Sequence, residues 1–100
     1  IIVQKMINDL LKNKKGLIVG VANERSLAWG IANSIFQSGG SVAFTYQNEA
    51  LKKRIIPLAS KVNSKFVYEF DVQDYEGAPN FFKKLANEFG KMDFLVHAVA

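Results

Sequence analysis

The sequence contains no cysteine, so neither a disulfide framework nor a thiolate metal site is available, and the reducing cytoplasm is the compartment it fits. Long apolar runs are also missing, because lysine or asparagine interrupts each hydrophobic stretch before membrane-spanning length. The N-terminal stretch IIVQKMINDLLKNKK has no small-residue cleavage site after an apolar core. We therefore expect no signal peptide and no membrane span. Met6 is a candidate start, which leaves open whether residues 1–5 are native.

A run of basic residues is absent too, although thirteen lysines and arginines outnumber nine acidic residues and give a formal charge of +4. The basic side chains are scattered along the chain, at Lys14, Lys15, Lys52, Lys53, Arg54, Lys83 and Lys84. Scattered charge is typical of solvated helix faces, so we expect no nucleic-acid partner. Hydrophobic residues make up 49% of the chain, which at this length is typical of one soluble globular unit.

Apolar patterning divides the chain into alternating strands and helices. Short continuous runs predict strands at 16–21, 41–46 and 65–70, with a fourth beginning near Asp93. Between them, apolar spacings of three and four predict helices at 26–38, within 47–62 and at about 75–89. Such alternation predicts parallel strands joined by right-handed crossovers. The expected class is α/β, the N-terminal half of a Rossmann-like doubly wound sheet with strand order 3-2-1-4.

Local signals predict where the helices begin and end. Ser26 is the expected N-cap of the first helix, and the Gly39–Gly40 pair is expected to end it. Pro57 lies inside the second helical segment and predicts a kink or two shorter turns. Asp74 is the expected N-cap of the third helix, which Gly90 closes.

We expect residues 1–100 to form the N-terminal part of a single dinucleotide-binding domain, with residues 1–14 as an extension. In this strand order the fourth strand presents an apolar edge where a fifth strand normally pairs. The sequence therefore predicts that the domain continues beyond residue 100.

The stretch GVANERSLAWG, residues 20–30, follows the first predicted strand and opens the first predicted helix. Folds of this class bind ligands at that end of the strands. Gly20 lets the backbone turn and approach a pyrophosphate, and Ser26 places a hydroxyl beside the positive end of the helix. Gly30 is expected to allow close packing of helix on strand. The alternative is an ordinary loop with a serine cap and a packing glycine, and glycine spacing alone leaves both open.

Four segments occur in an order and at separations that resemble a known family: GLIVGVANERSLAWGIA, VAFTYQNEALKKR, FDV and DFLVHAVA. Over about residues 15–100 the chain is similar to the N-terminal part of bacterial enoyl-acyl-carrier-protein reductase. That family is a divergent member of the short-chain dehydrogenase/reductase superfamily. The stretched Gly-x5-Ser-x3-Gly turn carries the resemblance, with Gly20, Ser26 and Gly30 at its fixed positions.

The resemblance implies an NADH cofactor and a set of residues that contact it. The pyrophosphate and the nearby ribose are expected at Gly20, Ala22, Ser26 and Leu27. The adenosine is expected at Gln47, Asp71 and Val72, and the segment beneath the cofactor at Ala98, Val99 and Ala100. The family often has serine and glycine where this chain has Ala98 and Ala100, so it departs from the pattern at those two positions.

The neutral amide of Gln47 can hydrogen-bond ribose hydroxyls, and Glu49 would repel a 2′-phosphate, which favours NADH over NADPH. Read alone, Gln47 is equally consistent with an exposed turn residue, and Asp71 with an aspartate that accepts from local amides. His97 is the only histidine. It has no evident catalytic partner, so we expect it to be packed or locally hydrogen-bonded rather than catalytic.

The family transfers a hydride from NADH to a trans-2-enoyl thioester on acyl carrier protein, in type II fatty-acid synthesis. Its catalytic tyrosine and lysine lie downstream of the fourth strand, so the resemblance implies no catalytic residue within residues 1–100 and an inactive fragment. It also implies a cytoplasmic homotetramer, and no metal is implied. Two alternatives stay open: another short-chain reductase such as a ketoreductase, and a non-catalytic nucleotide-binding or assembly module.

Overall fold

A computed structural model describes residues 9–21, 23–71 and 73–98. Its strands are β1 (Lys15–Val19), β2 (Ser41–Tyr46), β3 (Val67–Glu69) and β4 (Phe94–His97). Its helices are α1 (Leu27–Gln37), α2 (Glu49–Lys61) and α3 (Ala78–Glu88). The strands form one parallel sheet in the order β3-β2-β1-β4. The predicted class and strand order are confirmed.

The central strand β1 contributes side chains to two separate cores, because alternate residues of a strand face opposite sides of the sheet. Ile18 is fully buried in the core formed with α1 and α2. Leu17 and Val19 are buried on the other face, with Leu85 and Phe89 from the α3 side. Both faces of β1 are therefore covered, which explains why its sequence is continuously apolar rather than alternating.

The first strand is shorter than the predicted 16–21. It ends at Val19, because Gly20 has a φ of 110° and turns the chain out of the sheet. Val21 is nevertheless buried, since it packs into the core beneath α1 and α2. An apolar residue beyond the end of a strand thus looks like part of it in sequence.

The first two helices begin at side-chain caps. Ser26 is the N-cap of α1, as predicted, and Gly39 follows its end with a φ of 91°. Of the two arrangements expected of Pro57, division into two shorter turns is wrong, since α2 runs unbroken through it, and a kink at this position stays a prediction. Ile55 and Leu58 are buried on either side of the exposed proline, and their packing holds the helix together.

The predicted role of Asp74 as N-cap of the third helix is also wrong. Gly77 occupies the N-cap position without a side-chain bond, and α3 starts at Ala78 with Pro79 in its first turn. Asp74 instead caps the preceding turn, where its Oδ1 accepts from the backbone N–H of Gly77 at 3.0 Å. The predicted end of the helix is confirmed, because Gly90 has a φ of 96°.

Two close contacts fix β1 against the α3–β4 connection. Lys15 donates its Nζ to the carbonyl of Phe89 at 2.7 Å, and its backbone N–H to Asp93 Oδ2 at 2.8 Å. Gly16 lies opposite Phe94 in the β1–β4 register, and the Phe94 ring covers the place where a Cβ on Gly16 would stand. Within the described ranges, no helix has both the length and the apolarity needed to cross a membrane.

Candidate functional site

The carboxyl ends of the four strands lie along one edge of the sheet, because all of the strands are parallel. Val19 pairs with Thr45 on one side and His97 on the other, and Thr45 pairs in turn with Tyr68. The chain segments that follow these strands therefore emerge side by side. Four of the sequence-predicted residues that the structure describes lie within two positions of a strand's end: Gly20, Gln47, Asp71 and Ala98.

The connection from β1 to α1 is held by its own hydrogen bonds. Asn23 Oδ1 accepts from the backbone N–H of Arg25 at 2.8 Å. Ser26 donates its hydroxyl to the carbonyl of Asn23 at 2.8 Å, and the Ser26 oxygen accepts from the backbone N–H of Trp29 at 3.2 Å. These hydrogen bonds close a turn immediately before the start of α1.

The first turn of α1 offers hydrogen-bond donors at the edge of the sheet. The backbone N–H of Gly30 reaches the carbonyl of Ser26, and that of Trp29 reaches its hydroxyl. The N–H groups of Leu27 and Ala28 donate to no other residue in the described part of the chain. Amides at a helix N-terminus, together with the positive end of the helix dipole, favour an anionic ligand.

The expectation that Gly30 allows close packing of helix on strand is wrong. A Cβ built on Gly30 would meet no atom within 4 Å, and the residue is exposed. Helix α1 packs on the sheet through Ala28, Ala32 and Ile35, which recur at spacings of four and three. Gly30 lies two residues after Ala28, on the side of the helix that faces away from the sheet.

The connection from β2 to α2 presents polar side chains. Gln47 is exposed directly after Tyr46, and Asn48 caps α2 by accepting from the backbone N–H of Leu51 at 3.0 Å. Glu49 lies exposed in the first turn of that helix. Lys52 turns back toward the sheet, with its Nζ 5.8 Å from the centre of the Tyr46 ring. The exposed carboxylate of Glu49 is therefore two residues from Gln47 in sequence, and the ammonium group of Lys52 is five.

The connections after β3 and β4 complete the edge. Asp71 is exposed, and its Oδ1 accepts from the backbone N–H of Gln73 at 2.9 Å. Ala98 is exposed, and its N–H donates to the carbonyl of Val19 at 2.9 Å, which extends the β1–β4 pairing by one residue. His97 is exposed, so the first of its two expected arrangements, packing, is wrong, and local hydrogen bonding stays a prediction. The remaining predicted site residues, Ala22, Val72, Val99 and Ala100, lie outside the described residues.

Asn23 was not singled out by the sequence. Its signal is an asparagine three residues before a serine N-cap, a spacing that lets the asparagine close the turn leading into the helix. The loop also carries an exposed ion pair between Glu24 and Lys61 at 3.8 Å. With both side chains more than half exposed, that pair contributes little to stability.

Residues 20–100 match the family model described as enoyl-(acyl carrier protein) reductase. An NADH-dependent enoyl-[acyl-carrier-protein] reductase of Rhizobium meliloti is 48% identical over 93 residues, which are 93% of this chain and 35% of the relative. A crystal structure of the Anaplasma phagocytophilum reductase in complex with NAD is 52% identical, with a TM-score of 0.84 over 91% of this chain and 35% of that one. The Aquifex aeolicus reductase structure gives 43% identity and a TM-score of 0.86 over 91% of this chain and 36% of that one.

The chain therefore spans about a third of the length of the relatives it matches. The family match begins at Gly20, where the chain leaves β1, and continues through all three of the later strands. Sequence, strand order and backbone likeness agree over nearly the whole of the chain. The chain belongs to the enoyl-(acyl carrier protein) reductase family.

Proposed function

We propose that this chain supplies the adenosine and pyrophosphate side of the NADH site in an enoyl-acyl-carrier-protein reductase of type II fatty-acid synthesis. The observation that carries the proposal is the shared edge of the sheet, where a loop with a positive-φ glycine meets the N-terminus of α1. An NAD-bound relative at 52% identity supports the same assignment. When bound, NADH supplies the hydride that reduces the enoyl double bond.

The pyrophosphate is proposed to bind at Gly20, Ala22, Ser26 and Leu27. The two N–H groups of Leu27 and Ala28 that bond no other described residue suit the phosphate oxygens. Gly20 has no Cβ to obstruct a ligand, and its φ of 110° is one that other residues rarely adopt. The Ser26 hydroxyl already donates to Asn23, so its oxygen would serve mainly to hold the helix start.

The adenosine is proposed to bind against Gln47, Asp71 and Val72. Gln47 is exposed and can exchange hydrogen bonds with ribose hydroxyls through both ends of its amide. Glu49, exposed two residues later, would oppose the 2′-phosphate of NADPH, so NADH is the proposed coenzyme. Asp71 has a second carboxylate oxygen besides the one that accepts from Gln73, and this oxygen could accept from the adenine amino group.

The cofactor is proposed to pass over Ala98, Val99 and Ala100, where small side chains permit close approach. We propose no catalytic residue within residues 1–100, and the exposed His97 has no catalytic role in this proposal. The substrate is proposed to be an enoyl thioester on acyl carrier protein. We further propose that the full-length enzyme is a cytoplasmic homotetramer, as the resemblance implies.

The test uses the longest natural chain that contains this sequence. Calorimetric titration with NADH measures binding, and NADH oxidation with a crotonyl thioester measures activity. Binding with crotonyl turnover is expected. Turnover of an acetoacetyl thioester instead would identify a ketoreductase, and binding with neither turnover would identify a non-catalytic nucleotide-binding module.

A matched pair of glycine variants tests the pyrophosphate loop. Gly20 and Gly39 both have positive φ, but Gly39 precedes β2 at the opposite edge of the sheet. Gly20→Ala should raise the dissociation constant of NADH about tenfold, equivalent to ~1.4 kcal/mol. Gly39→Ala carries the same kind of backbone strain and should leave the NADH affinity unchanged. If folded Gly20→Ala and Gly39→Ala bind NADH with the same dissociation constant, the loop at Gly20 does not contact the coenzyme.

A further inference from the structure

Asn23 accepts three hydrogen bonds in the loop before α1. Its side-chain oxygen accepts from the backbone N–H of Arg25 at 2.8 Å. Its carbonyl accepts from the backbone N–H of Ser26 at 3.1 Å and from the Ser26 hydroxyl at 2.8 Å. Side chain and backbone of one residue therefore close the turn that delivers the chain to the helix.

The turn fixes the orientation of the cap. A serine hydroxyl has one proton, and Ser26 gives it to the carbonyl of Asn23. Its lone pairs then point to the helix, where the oxygen accepts from the N–H of Trp29. Trp29 is in turn held by packing, since its ring centre lies 6.4 Å from that of the buried Phe44. The direction of the first helical amides is thus linked to the backbone carbonyl of Asn23 through two successive hydrogen bonds, and the side-chain bond to Arg25 helps to hold that carbonyl in place.

We propose that Asn23 is a positioning residue for the coenzyme pyrophosphate, which it serves through Ser26 by presenting the N–H groups of Leu27 and Ala28. This inference rests on the proposed function. The Asn23 side-chain oxygen is already bonded to Arg25, so the residue acts on the turn rather than as an acceptor toward the ligand. When the turn is already ordered before the ligand binds, less conformational entropy is lost on binding, and the affinity is higher.

The proposal predicts that substitution of Asn23 lowers the affinity only for ligands that carry the diphosphate. ADP and adenosine are used as paired probes, because they differ only by the diphosphate. In the longest natural chain, Asn23→Ala should weaken ADP about fivefold while adenosine binding changes by less than about twofold. The KM for NADH should rise by a similar factor with kcat unchanged, since Asn23 lies on the adenosine side of the site.

A conservative variant separates positioning from direct contact. Asn23→Ser keeps a neutral acceptor that can bond the N–H of Arg25, but it has no amide donor. It should restore most of the ADP affinity. If Asn23→Ala does not fold, Asn23→Ser carries the test alone: a loss of ADP affinity as large as about fivefold in this variant would overturn the positioning role.

The matched control is Ser64→Ala. Ser64 also makes local hydrogen bonds. Its hydroxyl donates to the carbonyl of Val42 at 2.6 Å and accepts from the N–H of Phe66 at 3.3 Å. It precedes β3 at the opposite edge of the sheet, so its loss should lower the melting temperature without changing the ADP affinity. Equal weakening of ADP and adenosine in Asn23→Ala would overturn the proposal. If the parent binds neither ADP nor NADH, the proposed function itself fails.

Discussion

Replacing Gly16 by alanine tests how closely β1 and β4 approach. A Cβ on Gly16 would stand 2.1 Å from Cε2 of Phe94, where ordinary contact begins at 3.4 Å, so the ring would have to move about 1.3 Å. Phe94 packs against the core beneath α1 and α2, which limits that movement. Forced overpacking of this kind costs about 1–3 kcal/mol. The Gly16 φ is not in the left-handed region, so the backbone itself accepts alanine.

The cost should vanish when the ring is removed. In a Phe94→Ala background, Gly16→Ala should stabilise the strand by about 0.5–1 kcal/mol, because alanine loses less backbone entropy than glycine. The double-mutant cycle should therefore give a coupling of about 1.5–4 kcal/mol. Urea unfolding followed by circular dichroism, in the longest natural chain, measures the four stabilities. Additive effects of the two substitutions would refute the close approach as the reason for glycine at this position.

Three further predictions concern the α3 side of the sheet. Lys15→Met removes the bond from Nζ to the carbonyl of Phe89 at the end of α3, and should lower the free energy of unfolding by about 1–2 kcal/mol in the same assay. Gly90→Ala should cost at least about 1 kcal/mol, because φ is 96° and the new Cβ would meet Lys15 Nζ at 2.9 Å; the loss should shrink in Lys15→Met. Burial, with a smaller contribution from the Glu88 carboxylate, raises the pKa of Tyr68. The unfolded state therefore loses this proton first, and the stability that Tyr68 contributes should be complete below about pH 10 and decline above it. Tyr68→Phe should remove that part of the decline, and urea midpoints measured across this pH range check it.

The sequence predicted the features that depend on hydrophobic periodicity. Apolar runs identified all four strands, their alternation with helices predicted the doubly wound order, and the Ser26 cap was visible as a serine before a helical stripe. The unbroken course of α2 through Pro57 was not visible, because it depends on burial of Ile55 and Leu58 against a sheet that the local sequence does not contain. Local propensity was overridden by tertiary packing in this helix.

Other errors arose where one residue type serves two local structures. Asp74 can cap a helix or a turn, and the choice depends on Gly77, which starts the helix three residues later. Gly30 was assigned from the glycine pattern, although its phase relative to Ala28 and Ala32 already placed it on the outer side of the helix. The bonds of Asn23 depend on the path of the loop, which spacing does not determine.

The division of β1 between two cores makes its length intolerant of change. Inserting one residue between Lys15 and Ile18 would exchange the faces of every strand side chain beyond it and carry Ile18 from one core to the other. Both neighbouring ladders would slip at once, since β1 pairs with β2 and β4. Natural variation in length among homologous chains should therefore collect in the surface connections and spare this segment.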